Sequence, residues 1–176
     1  MERTIRSSTQ FAGRLISLRV DEVERPDGRR ATREIVGHPG AVAILAWDGA
    51  RLGMVRQWRH AAGDVLLEIP AGTMEPGEDP RTTARRELGE EMGVAAAAWA
   101  TGPSFYTAPG FCTERLTLFL ATELEETQVE APDDEDVEGE WLPLAEALGA
   151  IEDGRIADAK SIAGILWLAR RLKPSL

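Results

Sequence analysis

Apolar positions in the first part of the chain come in short runs separated by turn-forming residues, a spacing that predicts strands rather than helices. LISLRVDEV and RRATREIV, within residues 14–36, flank Pro26-Asp27-Gly28 and predict a hairpin. AVAILAW and RLGMVRQW predict a second hairpin, joined at Asp48-Gly49, where a tight turn is tolerated. LLEIPAG, residues 66–72, predicts a short apolar strand that delivers the chain to Gly72.

Beyond Pro76-Gly77 the period changes. Asp79 can cap a helix whose first turn holds Pro80, where a missing N–H does no harm, and Gly93 can end it in a left-handed conformation. Ala84, Leu88 and Met92 recur at spacing four and predict its buried stripe, with Thr83, Glu87, Glu90 and Glu91 on another face. LTLFLATEL then reads as a strand and APDDEDVEGE as an acidic loop. WLPLAEALGAI and DAKSIAGILWLARRL read as two terminal helices, the second with Ile162, Leu166 and Ala169 on its apolar side. The expected fold class is α/β (α+β): a mixed sheet sandwiched between helices, preceded by a small antiparallel sheet. Residues 1–40 form the N-terminal β element and 41–176 the main domain in this reading.

Composition narrows the function classes. At 176 residues, 43% hydrophobic and 28% charged, the chain has the profile of a globular protein of about domain size. It contains no apolar run near the roughly 20 residues that cross a bilayer, so no membrane partner is expected. MERTIRSSTQFAGRL lacks the apolar stretch of a secretory signal, and the expected location is cytoplasmic. Cys112 alone forms no internal disulfide, and with only His38 and His60 a Cys/His zinc site has no ligand set. A net charge of −10 argues against a nucleic-acid surface, which needs clustered Lys and Arg. A nucleotide is not excluded, because a bound divalent cation inverts the local field.

The stretch GTMEPGEDPRTTARRELGEEMGV, residues 72–94, concentrates that negative charge on one helix. A pair of glutamates on a helix is usually a solvated face. Here Glu87 repels Glu90 and Glu91 at i,i+3 and i,i+4, a cost of about a few tenths of a kcal/mol per pair that Arg85 and Arg86 only partly offset. Several carboxylates beside glycine turns make the hard-oxygen arrangement that Mg²⁺ or Mn²⁺ prefers. Glu87 and Glu91, one turn apart, can hold one metal centre, and Glu90 can complete it or orient a water. Arg86 suits an anchor between loop and helix through a carboxylate such as Glu78.

Gly72, Glu78, Arg86-Glu87-Leu88-Gly89-Glu90-Glu91 and Gly93-Val94 stand at the spacing of the Nudix box, and the chain resembles that family. The resemblance implies hydrolysis of a nucleoside diphosphate linked to another group, with two or three Mg²⁺ or Mn²⁺ ions per site. It adds the Ala71 carbonyl to the ligands and leaves Gly72, Glu78 and Gly93 structural within the motif. Gly89, costly inside a helix, falls at a variable position of the box.

SFYTAPGFCTERLTLFLA, MVRQWRHAAGDVLLEIPAG and DGRIADAKSIAGILWL are similar to the ADP-ribose pyrophosphatase subfamily, with Pro109 sixteen positions after Gly93. That likeness implies that Arg59, and less directly Arg56, contact phosphate. Pro109, Gly110 and Glu114 are implied to meet the terminal ribose, and Arg33 and Glu34 the adenosine half from a partner subunit, in a homodimer that exchanges N-terminal strands. The acidic loop is implied to carry the catalytic base, Glu135 or Asp133, with the other arrangement making Glu135 a metal ligand. The expected reaction is metal-dependent hydrolysis of ADP-ribose to AMP and ribose 5-phosphate. Alternatives are another nucleoside diphosphate sugar such as GDP-mannose, or a non-catalytic nucleotide sensor, which a damaged box would mark.

Overall fold

The computed structural model of the chain describes residues 1–129 and 137–172. By its internal contacts the chain divides into two compact units, Met1–Gly40 with Phe105–Arg115, and Ala41–Ser104 with the chain from Leu116 onward.

The first unit is a three-stranded antiparallel meander, β1 (Arg3–Ala12), β2 (Ser17–Glu24) and β3 (Arg30–Gly37), in the order β1-β2-β3. The β2–β3 hairpin is the one expected, and Gly28 supplies the left-handed residue of its turn at φ 79°. β1 is a strand that the sequence pattern leaves unassigned, because its polar run RTIRSSTQFA lies almost wholly exposed and shows no apolar alternation. The 107–114 segment is tied to the end of β3. Val36 N–H donates to the Phe111 carbonyl at 2.7 Å, and Thr113 N–H donates to the Val36 carbonyl at 2.9 Å.

The second unit is built on a four-stranded mixed sheet ordered β7-β4-β9-β8: β4 (Ala41–Ala46), β7 (Ala71–Thr73), β8 (Val94–Tyr106, as far as Ser104) and β9 (Arg115–Glu126). β4 is buried at every position and runs parallel to β9 and antiparallel to β7, the placement of a central strand with both faces covered. The helix α1 (Pro80–Met92) packs Ala84 and Leu88 on one face against Val42, Ile44, Phe119 and Ala121. The helix α3 (Ala159–Leu172) lies on the other, where a Cβ on Gly164 would come within 3.0 Å of Ile69 and 3.3 Å of Leu45. A mixed sheet between helices is the architecture expected.

A second, three-stranded sheet joins β5 (Arg51–Arg59), β6 (Asp64–Glu68) and β10 (Val137–Pro143) in the order β10-β5-β6. Here four expectations are corrected. AVAILAW and RLGMVRQW are not a hairpin: they pair as strands at the Trp47–Leu52 bridge, and β4 and β5 belong to different sheets. LLEIPAG is not one strand. The chain changes sheet at Ile69-Pro70, where the Ile69 N–H goes to Ser161 Oγ at 2.8 Å and Pro70 has no N–H to offer. The VEGE part of the acidic segment is the start of β10, and Trp141-Leu142-Pro143 continue it. The helix α2 (Leu144–Glu152) therefore begins after the proline, consistent with the extended backbone that a proline imposes on its predecessor.

In α3 the buried stripe is Ser161, Gly164, Ile165 and Leu168, one position before the expected one, and Leu166 is exposed. The small residues seat the helix on the sheet, so the apolar count misplaces the face. Among the described residues no helix is long and apolar enough to cross a membrane.

Candidate active site

The box helix forms as its sequence dictates. Asp79 accepts from Arg81 N–H at 3.0 Å and Thr82 N–H at 3.3 Å, and Gly93 at φ 64° closes the other end with its N–H on the Gly89 carbonyl at 3.0 Å. A helix with Ala84 and Leu88 buried on one side turns a second buried line, Thr83, Glu87 and Glu91, toward β7. Carboxylates only 7% and 8% exposed are costly in an apolar setting, so the local structure must supply polar partners.

The partners are the backbone of β7 and one guanidinium. Glu91 Oε2 accepts the Ala71 N–H at 2.9 Å. Glu87 lies against Gly72 so closely that a Cβ there would stand 1.8 Å from Oε1. Arg86 binds Glu87 Oε1 through Nη2 at 2.8 Å and Glu90 Oε2 through Nη1 at 2.8 Å, and its Nε lies 3.6 Å from Glu78 Oε1. Burial opposes the Arg86 charge, yet Glu87 and Glu90 more than compensate and raise its pKa further. Burial pushes the Glu78 carboxyl up, but the Glu75 N–H, Thr83 and Arg86 hold it below the ordinary range. Glu78 thus joins the loop to the helix in its ionised form.

Among the described residues, no three carboxylate, His or Cys side chains converge on one ligating point, and Glu87 and Glu90 turn to Arg86. The donor set nevertheless fits a hard divalent cation: glutamate oxygens on successive turns, two of them drawn to the backbone at Ala71 and Gly72.

Arg59 and Arg56 take opposite sides of β5, as alternation requires. Arg59 reaches Glu68 with Nε at 3.0 Å and Nη2 at 2.6 Å, and Glu68 is only 2% exposed. Arg56 pairs with Glu140 on β10 at 2.9 Å, beside exposed Trp58 and Val65.

Within the first unit, Arg33, Pro109 and Gly110 line a cavity of about 500 Å³ together with Arg19, Tyr106 and Phe111. Arg33 also bonds Glu2 and the Thr32 carbonyl. Glu34 is exposed and, one residue along the same strand, points to the other face from Arg33. Glu114 accepts from Thr107 Oγ1 at 2.5 Å and lies 3.8 Å from His38 Nδ1. Asp133 and Glu135 lie outside the described residues.

Sequence reasoning missed Glu68, Lys160 and Arg19. For Glu68 a signal existed: a lone carboxylate in the apolar run LLEIP is buried only with partners. For Lys160 and Arg19 there was none, since their roles come from tertiary placement.

The NUDIX domain family matches residues 37–164, and the nucleoside diphosphate sugar hydrolase N-terminal domain matches residues 2–36. An ADP-ribose pyrophosphatase of Bacillus subtilis is 43% identical over 178 residues, covering 99% of this chain and 95% of its own. A methanol dehydrogenase activator of Bacillus methanolicus is 43% identical over 170 residues, covering 95% and 92%. The solved structure of an ADP compounds hydrolase, 23% identical, shares the fold with a TM-score of 0.89 over 98% of this chain and 95% of that one. With a family match across most of its length and the box unbroken from Gly72 to Val94, the chain belongs to the Nudix family.

Proposed function

We propose that the chain is a divalent-cation-dependent pyrophosphatase that hydrolyses ADP-ribose to AMP and ribose 5-phosphate. One observation carries the reading: an intact box whose Glu87 and Glu91 are gathered against the backbone of Ala71 and Gly72. Similarity over nearly the full length to an ADP-ribose pyrophosphatase supports the substrate. Water adds across the P–O–P bridge, each product keeping one phosphate.

Glu87, Glu90 and Glu91, with the Ala71 carbonyl, would hold Mg²⁺ or Mn²⁺, two or three ions in all, with Glu135 as a further ligand from the acidic segment in the arrangement where Asp133 is the base. When bound, such ions neutralise the diphosphate and lower the pKa of a water. Arg59 offers a planar, permanently charged group suited to phosphate oxygens. Arg86 holds Glu78, Glu87 and Glu90 in register and is a positioning residue. Glu135 or Asp133 would take the proton from the attacking water. Arg33 and Glu34, contributed by the partner subunit, suit the nucleoside half, while Pro109, Gly110 and Glu114 suit the terminal sugar. The functional form is a homodimer through exchange of N-terminal strands.

The test is a panel of ADP-ribose, GDP-mannose, NADH and dGTP with Mg²⁺ or Mn²⁺, with products identified by phosphorus NMR. ADP-ribose is expected to be turned over with the highest kcat/KM and to give AMP. Faster turnover of another member would overturn the substrate. ADP-ribose binding without hydrolysis would support a sensor instead.

A further inference from the structure

Among the described residues, the most buried acid outside the box is Glu68, which sits at the end of β6. Its carboxylate accepts two parallel bonds from the Nε and Nη2 edge of Arg59. Its Oε2 also accepts from Lys160 Nζ, which in turn donates to Asp158 Oδ2 at 3.0 Å. Asp158 Oδ2 takes the Ser161 N–H at 3.2 Å, and Ser161 Oγ receives the Ile69 N–H at 2.8 Å. The cluster therefore ties the end of β5 and the start of α3 to the residues that lead into the box.

Stability alone does not call for this arrangement. A buried ion cluster carries a desolvation cost that a well-packed apolar group of the same volume avoids. Two cations and two carboxylates also leave it without net charge, so it does not act as a field that attracts anions. What it does supply is geometry. The bidentate pairing fixes the guanidinium plane through its Nε and Nη2 edge, so that a phosphate ligand would be met from the Nη1 side. The guanidinium also lies within electrostatic reach of Glu91 on the box helix.

We infer that Glu68, steadied by Lys160 and Asp158, is a positioning residue that holds Arg59 in the orientation in which it binds the diphosphate of the substrate. The inference rests on the proposed function for the identity of that ligand. It assigns to Glu68 no contact with substrate and no proton transfer. An unheld arginine would still carry its charge, but it would have to be ordered during binding, at the expense of affinity.

The test is a double-mutant cycle on the full chain with ADP-ribose and Mg²⁺. Glu68→Gln is expected to raise KM about tenfold or more with a much smaller change in kcat, and Arg59→Ala to do the same. The combined variant should be no worse than Arg59→Ala alone. Additive effects, or an unchanged KM in Glu68→Gln, would overturn the inference. If Glu68→Gln does not fold, Glu68→Asp keeps the charge and withdraws it by one methylene; a raised KM is expected, and a normal KM overturns the inference.

Failure of the substrate reading is separable. If the wild type hydrolyses no member of the panel, the Arg59 Nε–H signal in a nitrogen-15 spectrum is followed during titration with inorganic pyrophosphate and Mg²⁺. A shift in the wild type that Glu68→Gln lacks supports positioning, and equal shifts or none in both overturn it.

Discussion

Gly72 has no room for a side chain because Glu87 occupies the space: an added Cβ would lie 1.8 Å from Oε1 and 1.9 Å from Cδ. Gly72 sits within β7, opposite Val42, and is not one of the glycines with positive φ. The first glycine of the box is therefore required for close approach and not for a turn. Its absent side chain allows a buried carboxylate of α1 to rest on the strand that precedes the loop.

Gly72→Ala should accordingly act through Glu87. The carboxylate is the flexible end of its side chain and can swing away, so the fold is expected to survive. The Mg²⁺ concentration needed for half-maximal activity should rise about 10- to 100-fold, the range seen when groups supporting a metal ligand are disturbed. A metal titration of activity, run beside a thermal melt, checks this. An unchanged metal requirement would mean that Glu87 has no part in holding the cation.

Glu91→Gln separates the bond that Glu91 makes to Ala71 from the metal-binding role proposed for it. An amide oxygen can still accept the Ala71 N–H that the carboxylate now accepts at 2.9 Å, so the melting temperature should change little. The anionic donor to a hard cation is lost, and kcat should fall about 100-fold or more. A variant with normal kcat would defeat the metal-site reading.

These two residues also show what the sequence could and could not convey. The helix limits at Pro80 and Met92 were readable because Asp79, Pro80 and Gly93 act on their immediate neighbours. The box carboxylates were readable because their spacing is local to one helix. Partner strands are a tertiary matter: nothing in AVAILAW or RLGMVRQW says that β4 and β5 join different sheets, and Val94–Tyr106 hides a long strand in an alanine-rich run. Arg56 and Arg59 were named together from one motif, yet alternation along β5 puts them on opposite faces. The Glu68–Lys160 contact joins residues 92 positions apart, beyond the reach of any local pattern.

Acid should weaken the protein partly through Glu68. Burial raises its carboxyl pKa, but the bonds from Arg59 and the nearby Lys160 charge outweigh that and hold it below its ordinary value of 4.5. A lowered folded-state pKa means that the unfolded chain binds the proton more tightly, so this stabilisation is complete above about 4.5 and is lost as pH falls through the folded value. Urea unfolding of wild type and Glu68→Gln should show a stability gap that is constant from pH 7 to 5 and narrows below 4.5. A gap independent of pH would show that Glu68 is not held ionised.

Gly89 gives a prediction of the opposite sign. It lies in the third turn of α1, where glycine costs about 0.5–1 kcal/mol relative to alanine. The nearest atoms an added Cβ would meet belong to Val129, at 3.0 Å from Cγ2 and 3.4 Å from Cβ. Val129 is 45% exposed, so it can move by the few tenths of an ångström needed without disturbing the core. Gly89→Ala should therefore recover most of the helix propensity and raise the melting temperature by about 2–4 °C, the scale expected of roughly 1 kcal/mol in a chain of this size. A lowered melting temperature would show instead that Val129 is held in place and cannot give way to the added methyl group.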